Sequence, residues 1–228
     1  MLAPLRDYLS PPDPRSSPLL RTTRDHYFSR LLNDVNPGMP GFEEARWIVS
    51  EDANVEHLPD VSATIDPERD EIWDACCHFM EHLCWHRPRQ IMPRLKIEAL
   101  PDDHRFKAKC LIQLSRLFDR LGNHSERKRL LTHALELERQ QGDDFWVAFT
   151  LRQLSDVNRL LYLYEEGIRQ AKEALEIFDR INDIEGQLES LSKLAMLLYG
   201  DQQLDAAENA ASRAMGLSTE EGQEFFVC

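Results

Sequence analysis

An all-α chain of stacked helical hairpins is the fold class this sequence predicts, on three observations. Apolar residues recur at helical spacing through its C-terminal half, whole columns of residues repeat at a step of 40, and no strand-like alternation of useful length appears. A chain of 228 residues with 42% hydrophobic and 29% charged content can bury one large core or two small ones, so disorder throughout is not expected.

The elements follow in order. Residues 1–9, MLAPLRDYL, place Leu2, Leu5 and Leu9 on one helical face, and the proline- and serine-rich stretch SPPDPRSSPLLR forms a loop or linker to residue 21. Residues 22–104 are expected to be a helical linker region with one degenerate hairpin. RDHYFSRLLNDV carries Tyr27, Phe28, Leu31 and Leu32, the breaker NPGMPG follows, and FEEARWIVSEDANVEHL resumes the helical signal. Residues 105–228 hold three repeats and the start of a fourth.

Seven columns define the repeats. Leu111, Leu151 and Leu191 lead, followed by Leu114, Leu154 and Leu194, the small residues Ser115, Ser155 and Ala195, and then Leu117, Val157 and Leu197. A second set comprises Ala134, Ala174 and Ala214, then Leu135, Leu175 and Met215, then Leu137, Ile177 and Leu217. Each copy thus contains two amphipathic helices. The small columns mark where the helices of a pair approach closely, because bulk there would push them apart. Gly142, Asn182 and Gly222 recur at the end of the second helix, where a left-handed residue lets the chain leave with its last carbonyls satisfied.

These columns resemble the tetratricopeptide repeat. Copy three carries Leu191, Leu194, Ala195, Leu198, Ala207, Ala211 and Ala214, and copy two carries Leu151, Leu154, Ser155, Gly167, Ala171 and Ala174. Copy one departs at Arg127, where a small residue is expected, and the closing proline is missing from all three. The resemblance implies a right-handed solenoid of long-helix hairpins preceded by an irregular helical segment. In this register Glu224 to Cys228 begin a fourth first-helix, so the chain is expected to be cut mid-repeat, with Phe225, Phe226 and Val227 making a face prone to self-association. Residues 1–9, His26 to Leu31 and Trp47 to Leu58 resemble, in that order, the region after the nucleotide-binding domain of STAND-type signalling ATPases, the class of the NB-ARC and NACHT regulators. That resemblance makes residues 1–21 the end of a winged-helix domain and the repeats a sensor or regulatory region. No Gly-x-x-x-x-Gly-Lys-Ser/Thr occurs in the chain, so ATP hydrolysis is not expected of it.

Composition removes other classes. The net charge of −13, concentrated in carboxylates of residues 43–74, repels a polyanion and argues against nucleic-acid binding. No run of 18 apolar residues suggests a membrane span, and the N-terminus lacks a secretory pattern, so the expected location is cytoplasmic. Five cysteines at irregular spacing do not make a disulfide framework and are expected to be reduced thiols.

The densest chemical cluster is CCHFMEHLCWH, residues 76–86, in which His78, Glu81 and His82 match the H-x-x-E-H pattern of one zinc-protease class. The same residues form the polar edge of an amphipathic helix whose buried stripe is Ile72, Cys76, Phe79, Met80 and Leu83. No third ligand is singled out and the protease fold needs strands, so the ordinary helix is the reading adopted, with a metal-dependent hydrolase left as a remote alternative. No nucleophilic triad shows either. The sequence therefore assigns no catalytic residue, no metal and no cofactor, and predicts a non-enzymatic module with a protein or peptide partner.

Carrying the groove positions of tetratricopeptide stacks onto this chain gives Lys109, Ile112, Arg116, Asp119 and Arg120. Copy two contributes Phe149, Arg152, Asp156, Arg159 and Leu160, and copy three contributes Glu189, Ser192, Met196 and Tyr199. Of the first ten, Lys109, Arg116, Arg120, Arg152 and Arg159 are basic on an acidic chain. Two readings follow: a basic strip that takes an acidic peptide, or arginines paired internally with Asp119 and Asp156. The family's carboxylate clamp needs lysine and asparagine where Arg152 and Asp156 stand, so that activity is not expected.

Overall fold

The computed structural model describes Asp102 and residues 107–220. The expectations placed on residues 1–101, including the winged-helix resemblance and the cluster of His78, Glu81 and His82, lie outside the described residues, as do the boundary at 104 and the fourth repeat from Glu224. Among the described residues there are six α-helices and no strand: α1 (Lys107–Arg120), α2 (His124–Gln141), α3 (Asp144–Leu160), α4 (Tyr164–Ile181), α5 (Ile184–Gly200) and α6 (Leu204–Glu220). The chain divides into two compact units between Gly122 and Asn123, so α1 belongs to the first and α2 to α6 form the second.

In the first unit, α1 buries Ala108, Cys110, Leu111, Ile112, Leu114 and Leu117. Its one deep charge, Lys107, is satisfied by Asp102 at 2.6 Å. Ser115 donates its hydroxyl to the Ile112 carbonyl at 2.7 Å and so is satisfied despite its burial. The helix stops at Gly122, whose φ of 70° is open to glycine without steric cost.

Punctuation in the second unit repeats with the sequence. Gly142 (φ 74°) and Asn182 (φ 56°) end α2 and α4 in the left-handed conformation their column predicts. The next residue caps the following helix: the Asp143 carboxylate accepts from Trp146 N–H at 3.3 Å, and that of Asp183 accepts from Gly186 N–H at 3.1 Å. A second left-handed column, absent from the sequence reading, lies inside the hairpins at Tyr162 (φ 60°) and Gln202 (φ 63°). Both close Schellman turns: Tyr162 and Leu163 donate to the Arg159 and Asn158 carbonyls at 3.1 and 2.8 Å, and Gln202 and Gln203 repeat the pattern on Tyr199 and Leu198 at 3.1 and 2.9 Å.

Packing places α5 between α4 and α6. Ile168 and Ala171 of α4 meet Leu194, Leu197 and Leu198 of α5, which meet Ala207 and Ala210 of α6. Nearer the other end Leu175, Leu188, Leu191 and Ala214 repeat the arrangement. The alanine column is fully enclosed at Ala134, Ala174 and Ala214. Close approach between α3 and α4 is permitted by Gly167, where a Cβ would stand 3.2 Å from the Ser155 carbonyl and 2.5 Å from a Leu197 methyl. Gly186 lies against the ring of Phe178, a fully buried side chain whose burial contributes about 1.5–3 kcal/mol. One column departs from expectation: Leu135 and Leu175 are 7% and 6% exposed, but Met215 is 57% exposed, because the face of α6 that meets α5 is made by its alanines instead.

Candidate functional site

The predicted groove residues of the second unit lie on α3 and α5. Asp156, one turn before the end of α3, accepts from three cations on three helices. Lys193 Nζ of α5 and Arg159 of its own helix each lie 3.1 Å from its Oδ1, and Arg127 of α2 lies 3.4 Å from its Oδ2. Burial pushes the Asp156 carboxyl up, but Lys193, Arg127 and Arg159 outweigh that and hold it below its ordinary value. Arg127 also donates to Gln153 at 3.0 Å. This explains the departure of copy one from the small-residue column: at 127 the chain places a long buried side chain that ties α2 to α3.

One turn earlier, Arg152 pairs with Glu189 of α5, and its guanidinium lies 4.9 Å from the centroid of the Phe149 ring. Arg152, Asp156, Arg159 and Glu189 are therefore brought together as two adjacent ion-pair sets. The positive charges of Arg152 and Arg159 are met by carboxylates rather than presented bare. On α1, in the first unit, Ile112 is buried and offers no open surface, Arg116 donates to Gln113 at 3.4 Å, Lys109 is half-buried and Arg120 is exposed.

Beyond the ion pairs, the α3–α5 surface runs into an open cleft of about 740 Å³. Arg159 and Leu160 at the end of α3, Met196 and Tyr199 on α5, and Glu208 on α6 line it, with Tyr162 and Tyr164 at the hairpin turn. Its walls expose apolar surface unusual for a well-packed stack: Tyr162 is 78% exposed, Tyr199 71%, Leu204 59% and Met196 40%. The Tyr162 and Tyr164 rings stand at 89° with centroids 6.2 Å apart. Gly200 lets Tyr164 come down onto α5, since a Cβ there would be 2.5 Å from the ring.

Of the residues that line this cleft, the sequence reading names Arg159, Leu160, Met196 and Tyr199 as groove positions and does not name Tyr162, Tyr164, Leu204 or Glu208. One signal could have found Tyr162. It stands in register with Gly122 and Gln202, and an aromatic residue in a column that also holds a turn glycine is out of place. Among the described residues no group of three His, Cys, Asp or Glu side chains could hold a metal ion, and no described helix is long and apolar enough to cross a membrane.

No family profile matches the chain, and no curated protein matches it. Similarity shows instead in three dimensions. A crystal structure of a Podosopora anserina protein described as a kinesin light chain with nearly identical tetratricopeptide-like repeats, in a single-substitution form, superposes with a TM-score of 0.65 at 13% identity over 97% of this chain and 99% of that one. The same protein without that substitution gives 0.64 at 12% identity over 92% and 99%. At such identity the likeness concerns the fold, and the fold is an all-α stack of tetratricopeptide-like hairpins.

Proposed function

We propose that this chain is a non-enzymatic protein-interaction module that holds an extended peptide along the α3–α5 surface, with the tyrosine-lined cleft as its anchoring point. The observation that carries the reading is the exposure of Tyr199, Met196 and Tyr162 around one concavity. A stack gains nothing in stability from large apolar side chains left in water, whereas aromatic residues around a concavity are what peptide anchors pack into. Phe149, Arg152, Asp156, Arg159 and Glu189 are proposed to extend the contact surface along α3 and α5. The first unit's Lys109, Arg116 and Arg120 are proposed as contacts in their own right, to be tested by their own substitutions.

A photo-crosslinking residue at Tyr199 or Met196, compared with one at exposed Lys172 of α4, tests this in cells. Partner proteins should be captured from the first two positions and not the third. A peptide from the captured partner should lose at least about tenfold in affinity on Tyr199→Ala, the size of a truncated hot spot. Equal capture from Lys172 would sink the reading. A narrower version, in which the repeats are the regulatory region of a STAND-type ATPase, is supported by the resemblance of residues 1–9, 26–31 and 47–58. It demands an in-frame phosphate-binding loop encoded upstream of Met1, and a stand-alone adaptor demands none.

A further inference from the structure

We infer that the tyrosine-lined cleft is built to take a positively charged side chain, arginine in the first place, carried by an apolar stretch of an extended peptide; the inference rests on the groove reading above and specifies its ligand. Tyr162 supplies the first observation. It holds φ at 60°, a conformation that a side chain with a Cβ adopts at a steric cost and that glycine adopts freely. Its ring does not recover that cost by burial, since most of it faces solvent. The Schellman closure that also sets Gln202 accounts for that backbone conformation, but not for an aromatic ring left exposed at the mouth of a cleft where the same position holds glycine or glutamine in the neighbouring copies.

Charge selects the ligand. Two charged side chains line the cleft, Arg159 and Glu208. The Arg159 guanidinium is engaged by Asp156 at 3.1 Å, and its Nε, which has no partner, is enclosed rather than open to the cleft. Glu208 has no hydrogen bond or ion pair among the described residues, and Asp201 and Asp205 add negative charge at the same end of α6. An anionic side chain would therefore meet an unpaired carboxylate and the negative faces of tyrosine rings. A neutral apolar one would cover Glu208 without pairing it. A cation satisfies both, through an ion pair to Glu208 and cation–π contact with the perpendicular rings of Tyr162 and Tyr164. Arginine fits better than lysine because its planar guanidinium stacks on a ring while donating sideways to a carboxylate.

The test uses the full chain and four fluorescein-labelled heptapeptides, Gly-Ser-Leu-X-Leu-Ser-Gly, with X as arginine, lysine, norleucine or glutamate, read by anisotropy. The arginine peptide should bind roughly 5- to 30-fold more tightly than the norleucine peptide, with lysine between them and glutamate weakest. Glu208→Gln should remove most of that advantage while leaving the norleucine peptide unchanged. Tyr162→Gly, which relaxes the turn and keeps the fold, should remove much of the rest. Equal binding of arginine and norleucine peptides, both lost on Tyr199→Ala, would overturn the inference and leave the groove reading standing. An arginine preference that survives both substitutions would overturn it too, as a general attraction to an acidic protein. If no peptide binds, the inference falls, and the groove reading is then decided by the crosslinking comparison alone.

Discussion

Asp156 is the residue at which burial and charge oppose each other most directly. Its carboxyl would be driven up by desolvation, yet Lys193, Arg127 and Arg159 keep its proton affinity below normal. Asp156→Asn should therefore cost on the order of 1–3 kcal/mol at neutral pH, because three cations lose their shared acceptor. Since the folded-state pKa lies below the unfolded value, the carboxylate's contribution is complete above the ordinary aspartate range and is lost as pH falls through the folded value. Urea denaturation of both proteins across pH should show a gap that is constant from pH 7 to about 5 and closes below about pH 4. A gap that widened on acidification would overturn this account. The left-handed turn residues make the complementary case. Asn182 and Gly142 were legible because their residue types tolerate positive φ, whereas Gln202 was not, because what forces its conformation is the Schellman closure onto Leu198 and Tyr199 rather than any preference of glutamine. Gln202→Gly should accordingly stabilise the chain by about 0.5–1 kcal/mol, read as a higher urea midpoint with an unchanged slope.

Between elements, the contacts split into two kinds, and the sequence announced only one of them. Columns such as Leu151, Leu154, Leu191 and Leu194 were readable because burial demands the same residue class in every copy. The ion pairs across α3 and α5 were not fixed by any column, since Glu189 answers Arg152 with no counterpart at the same step in the other copies. The reading left internal pairing and a bare basic strip open, and the geometry gives Arg152 and Arg159 each a carboxylate. Arg152→Glu with Arg159→Glu places like charges against Glu189 and Asp156, and should destabilise the stack by roughly 2–4 kcal/mol in sum, with Glu189→Arg restoring part of the loss. A folded, undiminished double variant would show that these pairs contribute nothing. The α4–α5 contact is set sterically at Gly186, where an added methyl meets the enclosed Phe178 ring; Gly186→Ala should cost about 1–3 kcal/mol in spite of alanine's better helix propensity.

A repeat stack is nearly one-dimensional, because each helix packs mainly on its sequence neighbours and on the helix one copy away. The second unit follows that rule: α3 touches α2, α4 and α5, while α6 rests on α5. Its period of 40 could be read from the sequence, because the spacing of buried columns is a property of every copy. The cleft could not, because Tyr162 and Glu208 have no like residue one step of 40 away, and the side chains that line the cleft converge only once the hairpins stack. The same architecture decides how damage spreads. Arg127 joins α2 to α3 through Asp156 and Gln153, whereas α6 is held through its packing on α5. Arg127→Ala removes those bonds, so amide hydrogen exchange under native conditions should accelerate in α2 and in the part of α3 around Gln153 to Asp156. Rates in α6 should stay within error of the parent chain, since the Leu197 and Ala207 contacts that hold it are untouched. Exchange that instead accelerated by one common factor in every helix of the unit would mean that α2 to α6 open only as a single cooperative block, and the nearest-neighbour picture of this stack would be wrong.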